Sequence, residues 1–110
     1  MNDFELYTLI FFVIDAYYAD NPSDELASLL GLMSPFTFKE IDSADSSIFT
    51  NFKRYIDGRD ITVANSYQLA KGYIEEIQKD LIPAFNSISK EEWKKGAEEY
   101  LSEPHKGMDL

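Results

Sequence analysis

Asp3-Phe-Glu-Leu-Tyr-Thr-Leu-Ile-Phe-Phe-Val-Ile-Asp-Ala-Tyr-Tyr18 is the stretch on which the fold turns. Its apolar residues cover far more than one stripe of a helical wheel. A helix apolar on nearly all sides is usually central in its domain, with the other elements packed around it. The β-branched and aromatic content of Leu9–Ile14 also allows a buried strand. The length of the pattern and the lack of turn residues within it favour helix. A membrane span needs about 20 apolar residues, and this run is closed by Glu5 and Asp15. A secretory signal would need positive charge ahead of the apolar core, and none stands there. The stretch therefore reads as a buried helix in a soluble, cytoplasmic protein that does not engage a membrane.

Downstream, helix signals recur at short intervals. Asn21-Pro-Ser-Asp-Glu25 reads as a helix start, with Asn21 as cap, Pro22 at the first position, and Asp24 and Glu25 at the positive end of the dipole. Leu26, Leu29, Leu30 and Met33 give amphipathic spacing that ends near Gly31–Ser34, and Pro35 stops it. Residues 34–44 form a connector, expected to be pinned to the core by Phe36, Phe38 and Ile41. Asp45 is the next N-cap, ahead of Ile48, Phe49, Phe52, Tyr55 and Ile56, with Gly58 as the stop. Thr62 caps a helix that reaches roughly Asp80. Pro83 marks a bend or a turn, since proline inside a helix costs about 3 kcal/mol. Ser89-Lys-Glu-Glu92 fits a capping box, with Trp93, Ala97, Tyr100 and Leu101 on the inner face of the last helix. Pro104 ends it. The expectation is all-α: a single compact domain over residues 1–103, about five helices around a buried N-terminal helix, then a flexible tail at 104–110.

A chain of 110 residues with 45% apolar and 15% aromatic content can bury a core without staples. Cysteine is absent. That excludes disulfides, thiolate metal sites and a cysteine nucleophile, and it is compatible with a reducing cytosol.

Charge is the second informative feature. The first basic residue is Lys39, and six carboxylates precede it. The net charge of −10 divides into −6 over residues 1–38 and −4 over the rest. A surface of this sign repels nucleic acid and anionic lipid; it can attract a basic protein or metal ions, or serve solubility alone. No catalytic motif accompanies it. Asp42, Asp45, Asp57 and Asp60 flank the 45–56 helix, but a calcium loop of EF-hand type needs alternating oxygen ligands and a closing Glu. Position 44 is Ala, and no Glu follows within the loop. The only histidine, His105, falls in the expected tail, which argues against a histidine metal site or a Ser-His-Asp constellation. Arg59 reads as part of a salt-bridged turn. The expectation is a binder, with neither enzyme activity nor a cofactor.

Three segments carry a resemblance: Phe11-Phe-Val-Ile-Asp-Ala-Tyr-Tyr18, Ser23-Asp-Glu-Leu-Ala-Ser-Leu-Leu-Gly-Leu-Met33 and Ala44-Asp-Ser-Ser-Ile-Phe-Thr-Asn-Phe52. Over residues 4–56 the pattern resembles small acidic bacterial immunity proteins of polymorphic and contact-dependent toxin systems. In that group a first helix ends in paired aromatics, and a Ser-Asp-Asp/Glu start opens a helix bearing Leu-Leu-Gly-x-Met. An Ala-Asp-Pro segment then leads into a helix with two tryptophans. Ser46 stands here in place of the proline, and Phe49 and Phe52 in place of the tryptophans. The resemblance implies stoichiometric inhibition, with an acidic face covering the cationic active site of a cognate toxin. It implies Asp20, Asp24, Glu25, Asp42, Asp57 and Asp60 as contact carboxylates and Tyr18 as an aromatic anchor. The residues leave other classes open: a general interaction domain, a self-associating homodimer, or an acidic mimic of nucleic acid.

Overall fold

The computed structural model describes residues 1–110 and contains helices and no strand. The elements are α1 (Asp3–Asp20), α2 (Asp24–Met33), α3 (Ser46–Ile56), α4 (Val63–Glu76), one 3-10 turn (Lys79–Leu81), α5 (Ile82–Phe85) and α6 (Lys90–Ser102). Six α-helices thus replace the expected five. The expected helix to Asp80 ends at Glu76, and Pro83 sits in the first turn of the four-residue α5, where its missing N–H is no loss.

Local chemistry sets most of the boundaries. Asn2 and Glu5 form a capping box at the start of α1, as do Thr62 with Asn65 in α4 and Ser89 with Glu92 in α6. Each box satisfies two amide donors that a helix start leaves free. The α2 start differs from expectation. Ser23, not Asn21, caps it by accepting from the Leu26 amide at 3.1 Å, while Asn21 closes the end of α1. Asp45 caps α3 as expected, and its hydrogen bonds from Ser47 hold its carboxyl below the usual range. At the other end of α3, Asp57 itself takes the left-handed conformation at φ 51°, ahead of Gly58.

One apolar cluster draws on every helix. Its centre is a chain of edge-on aromatic contacts, Phe4–Phe49, Tyr7–Phe52 and Phe52–Tyr73, with centroids 4.8 to 5.5 Å apart. Such pairs add about 0.5–1.5 kcal/mol each beyond burial. Most polar atoms inside are matched, the buried Tyr100 hydroxyl being the exception. The Tyr7 hydroxyl donates to the Met33 carbonyl at 2.6 Å, tying α1 to the end of α2, and burial pushes its pKa up. The Trp93 indole donates to Ser66 at 2.9 Å, tying α6 to α4.

α1 packs against α2, α3, α4 and α5. Its two halves differ. Residues 4–10 are all buried, whereas beyond them only Ile14 is, and Phe12 is 40% exposed.

The C-terminal residues depart most from expectation, and the connector in part. Phe38 is about half exposed and Phe36 nearly so. Yet Phe36 meets the Phe11 and Phe12 rings at 6.0 and 5.8 Å and Ile41 packs on the core, so these two do pin the loop. The loop is closed by backbone bonds, Ala44 to Ser34 and Asp45 to Leu32, and by the Lys106 ammonium, which donates to the Pro35 and Phe38 carbonyls at 2.6 and 2.7 Å. Residues 104–110, expected as a free tail, lie against the start of α1. His105 Nε2 meets Glu5 Oε2 at 2.5 Å, and Asn2 donates to the Gly107 carbonyl at 2.8 Å. Gly107 is buried at φ 84°, and a Cβ there would lie 2.6 Å from the Phe4 ring. Only glycine meets both conditions.

Candidate interaction surface

α6 rests mainly on α4, which leaves a groove between α6 and the second half of α1. The helices run antiparallel here, since Phe12 meets the Tyr100 ring at 5.7 Å while Val13 and Ala16 face Ile88 and Glu92. Small residues hold the groove open: Ala16 on one wall, Gly96 and Ala97 on the other. A Cβ added at Gly96 would meet nothing within 4 Å. The hollow holds about 380 Å³ and is floored by Leu9, Phe12, Val13, Trp93 and Tyr100. A second recess of about 280 Å³ shares Val13, Ala16, Ile88 and Glu92 with it and extends it to Asp20. The groove is therefore elongated along α1.

Its rim is acidic throughout. Glu92, Glu99 and Glu103 border the main hollow and Asp20 the extension, with no Lys or Arg lining either. Lys90 and Lys94 line a different hollow, between α6 and α4. The one ion pair in the protein is His105–Glu5, so none of these four rim carboxylates makes a direct ion pair, although Glu92 accepts from the Ser89 amide.

Helix dipoles make the placement costly. The C-terminal end of a helix carries partial negative charge, and a carboxylate there opposes it by about 0.3–1 kcal/mol. α1 ends at Asp20, and α6 carries Glu99 in its last turns and Glu103 at its C-cap, with no basic residue in the last turn of either helix. α3, by contrast, ends conventionally with Lys53 and Arg54.

The seven residues expected at a partner contact are not gathered in one place. Asp20, Asp24 and Glu25 lie exposed around the α1–α2 junction, where Glu25 joins Asp80, Tyr17 and Leu26 around a hollow of about 520 Å³. Tyr17 lines these hollows, whereas Tyr18 is half-buried and packs on the core. Asp24 and Glu25 sit in the first turn of α2, where negative charge favours the helix. Asp42 is half-buried and accepts from the Ser43 amide at 2.9 Å. That bond orders the loop in which the buried Ser43 hydroxyl donates to the Asp45 carbonyl and accepts from the Phe49 amide. Asp57 and Asp60 lie at the α3–α4 turn, next to Ile61, whose carbonyl accepts from the Met1 ammonium at 3.2 Å. They are thus at the opposite end of α1 from Asp20, an 18-residue helix about 27 Å long. Arg59 forms no salt bridge in that turn; its guanidinium sits over the Tyr55 ring at 5.1 Å.

Sequence reasoning missed Glu92, Glu99 and Glu103, although the signal was present. Glu92, Gly96, Glu99 and Glu103 fall at i, i+4, i+7 and i+11, one face of a helix, beside the apolar stripe Trp93, Ala97 and Tyr100. Neither a nucleophile–base pair nor a group of three His, Asp or Glu able to hold a metal ion accompanies the groove. No helix is long and apolar enough to cross a membrane. Comparison with protein-family models, with curated proteins and with solved structures finds no match for this chain.

Proposed function

We propose that this protein is an immunity protein: a non-enzymatic, bacterial, cytoplasmic binder that neutralises a basic toxin by stoichiometric occlusion. The observation that carries the proposal is the unpaired acidic rim around an open apolar groove. Apolar floor supplies affinity on desolvation, and surrounding charge selects the partner and speeds encounter. Rim carboxylates at the wrong ends of two helices cost the free protein stability. A partner's Lys and Arg side chains would reverse that cost on binding. The resemblance over residues 4–56 supports the same reading. In it, α1 is the central strut: its buried first half anchors the fold and its open second half builds one wall of the groove.

Capture with the tagged full-length chain from the cell that makes it, followed by mass spectrometry and light scattering, tests the proposal. The expected result is a basic protein in a one-to-one complex, released by high salt, whose toxicity in culture is suppressed by co-expression. A tight homodimer with no second protein would contradict it. So would a partner whose toxicity co-expression leaves unchanged.

A further inference from the structure

The geometry points to the form of the partner's docking element: an amphipathic α-helix with basic flanks, laid along the groove between α1 and α6. This inference rests on the proposed partner-binding function and specifies which face is used and what fills it.

Shape argues for a linear occupant. The main hollow and its extension form one elongated trough with shared residues Val13, Ala16 and Ile88. It is open along its length and lacks the converging polar groups that orient a small ligand. An all-helical protein offers no sheet edge for an extended peptide to join, which leaves helix-in-groove docking as the matching recognition mode. Ala16, Gly96 and Ala97 remove side-chain bulk from the walls, so another helix backbone can come close.

Charge sets the sequence of the occupant. Glu92 lies at one end of the trough beside Asp20, with Glu99 and Glu103 at the other. From Glu92 to Glu103 is about 16 Å along α6, the rise of three helical turns. The docked helix therefore presents apolar residues at i, i+3 or i+4, and i+7 to the floor, with Lys or Arg on both flanks.

The protein contains its own reporter, because Trp93 is its single tryptophan and lines the groove. The probe is a synthetic capped helical peptide of about four turns, Leu on one face and Lys on the other. A matched peptide with Glu in place of Lys is the control. Titration of the full chain with the Lys peptide is expected to shift Trp93 emission and saturate at one-to-one. Gly96→Leu should weaken binding at least tenfold. Its Cβ enters open space and it replaces a poor helix former, so the melting temperature should hold or rise. The combined Asp20→Lys, Glu99→Lys and Glu103→Lys variant, which leaves the Ser89–Glu92 capping box intact, should also lose at least tenfold, while Asp57→Asn with Asp60→Asn should bind as the parent does.

Equal binding of the Lys peptide by parent, Gly96→Leu and the triple variant would overturn the inference. Equal binding of the Glu peptide would overturn its charge component, and a dimer dissolved by Gly96→Leu would make a second copy of this chain the occupant instead. Failure of this inference is separable from failure of the function. A captured basic toxin that binds Gly96→Leu and the triple variant unchanged leaves the immunity role standing and moves the contact elsewhere.

Discussion

The two ends of α1 are finished in opposite ways. At its start, the polar groups are tied into the chain, and Asp3 sits in the first turn where negative charge favours the helix. Asn2 and Glu5 close a capping box, His105 meets Glu5, Asn2 also holds Gly107, and the Met1 ammonium reaches Ile61. At its finish, Asp20 stands against the dipole with no cation beside it, and the apolar surface before it opens into the groove. Sequences that fold well satisfy local rules nearly everywhere and break them where function requires it. The closed end is accounted for by the fold, and the open end is the surface on which the proposed partner would act.

Perturbing the closed end should cost most. Gly107→Ala forces a side chain into a left-handed position and against the Phe4 ring. The backbone term alone is about 1–2 kcal/mol, and crowding adds to it. Urea unfolding monitored by circular dichroism should therefore show a loss of about 2 kcal/mol or more. A loss within error would mean that the last residues do not hold the start of α1.

The His105–Glu5 contact comes next, because a charge-assisted hydrogen bond between side chains only 8% and 9% exposed outweighs exposed helix-end charges. Burial works to lower the His105 pKa, but hydrogen bonds to Glu5 and Glu103 and the Glu5 charge raise it above its usual 6.5. A raised folded-state pKa stabilises fully below the unfolded value and loses that stabilisation as pH climbs through the folded one. The stability difference between parent and His105→Gln should accordingly be greatest below about pH 6.5 and fade at higher pH. A difference independent of pH would show that the imidazole acts by packing alone.

At the open end the sign reverses. Asp20→Asn, Glu99→Gln and Glu103→Gln should each stabilise the free protein, by about 0.3–1 kcal/mol at low salt, with the gain shrinking as salt rises. Destabilisation by any of them, read as an earlier urea midpoint, would place that carboxylate among the groups that hold the fold.

The smallest effect is expected at Asp57. Asp57→Gly relieves a left-handed non-glycine residue at φ 51°, and a gain of up to about 1 kcal/mol in chemical denaturation is expected. Partner affinity should not change, since the α3–α4 turn lies away from the groove. A large change in affinity would return Asp57 to the interface.

How far the sequence foretold this depends on the range of the interactions. Helix starts at Asp45, Thr62 and Ser89 were legible because a cap and its amides lie within three residues of one another. The start of α2 was misread by two residues, since Asn21 and Ser23 are both good caps and only the end of α1 decides between them. The extra helix at Ile82–Phe85 was ambiguous because proline suits a first turn as well as a bend. The docking of residues 104–110 was invisible: His105 and Glu5 are separated by 100 positions. The groove was half legible. Each wall shows its stripe in sequence, but only the fold places Ala16 opposite Gly96 and leaves the space between them empty. Of the seven expected contact residues, Asp20 borders the groove, Glu25 lines the neighbouring hollow, and Asp42 does loop work.

The central claim is that Asp20, Glu99 and Glu103 of the acidic rim serve a partner and not the fold, whereas Glu92 also caps α6. The most direct measurement is the affinity of the captured basic protein for two neutralised variants, compared side by side by calorimetry. One carries Asp20→Asn, Glu99→Gln and Glu103→Gln at the groove; the other carries Asp57→Asn and Asp60→Asn at the opposite end of α1. The account predicts at least a tenfold loss for the first, with no loss of folding stability, and parental affinity for the second. Parental affinity for the first, or an equal loss in both, would contradict it.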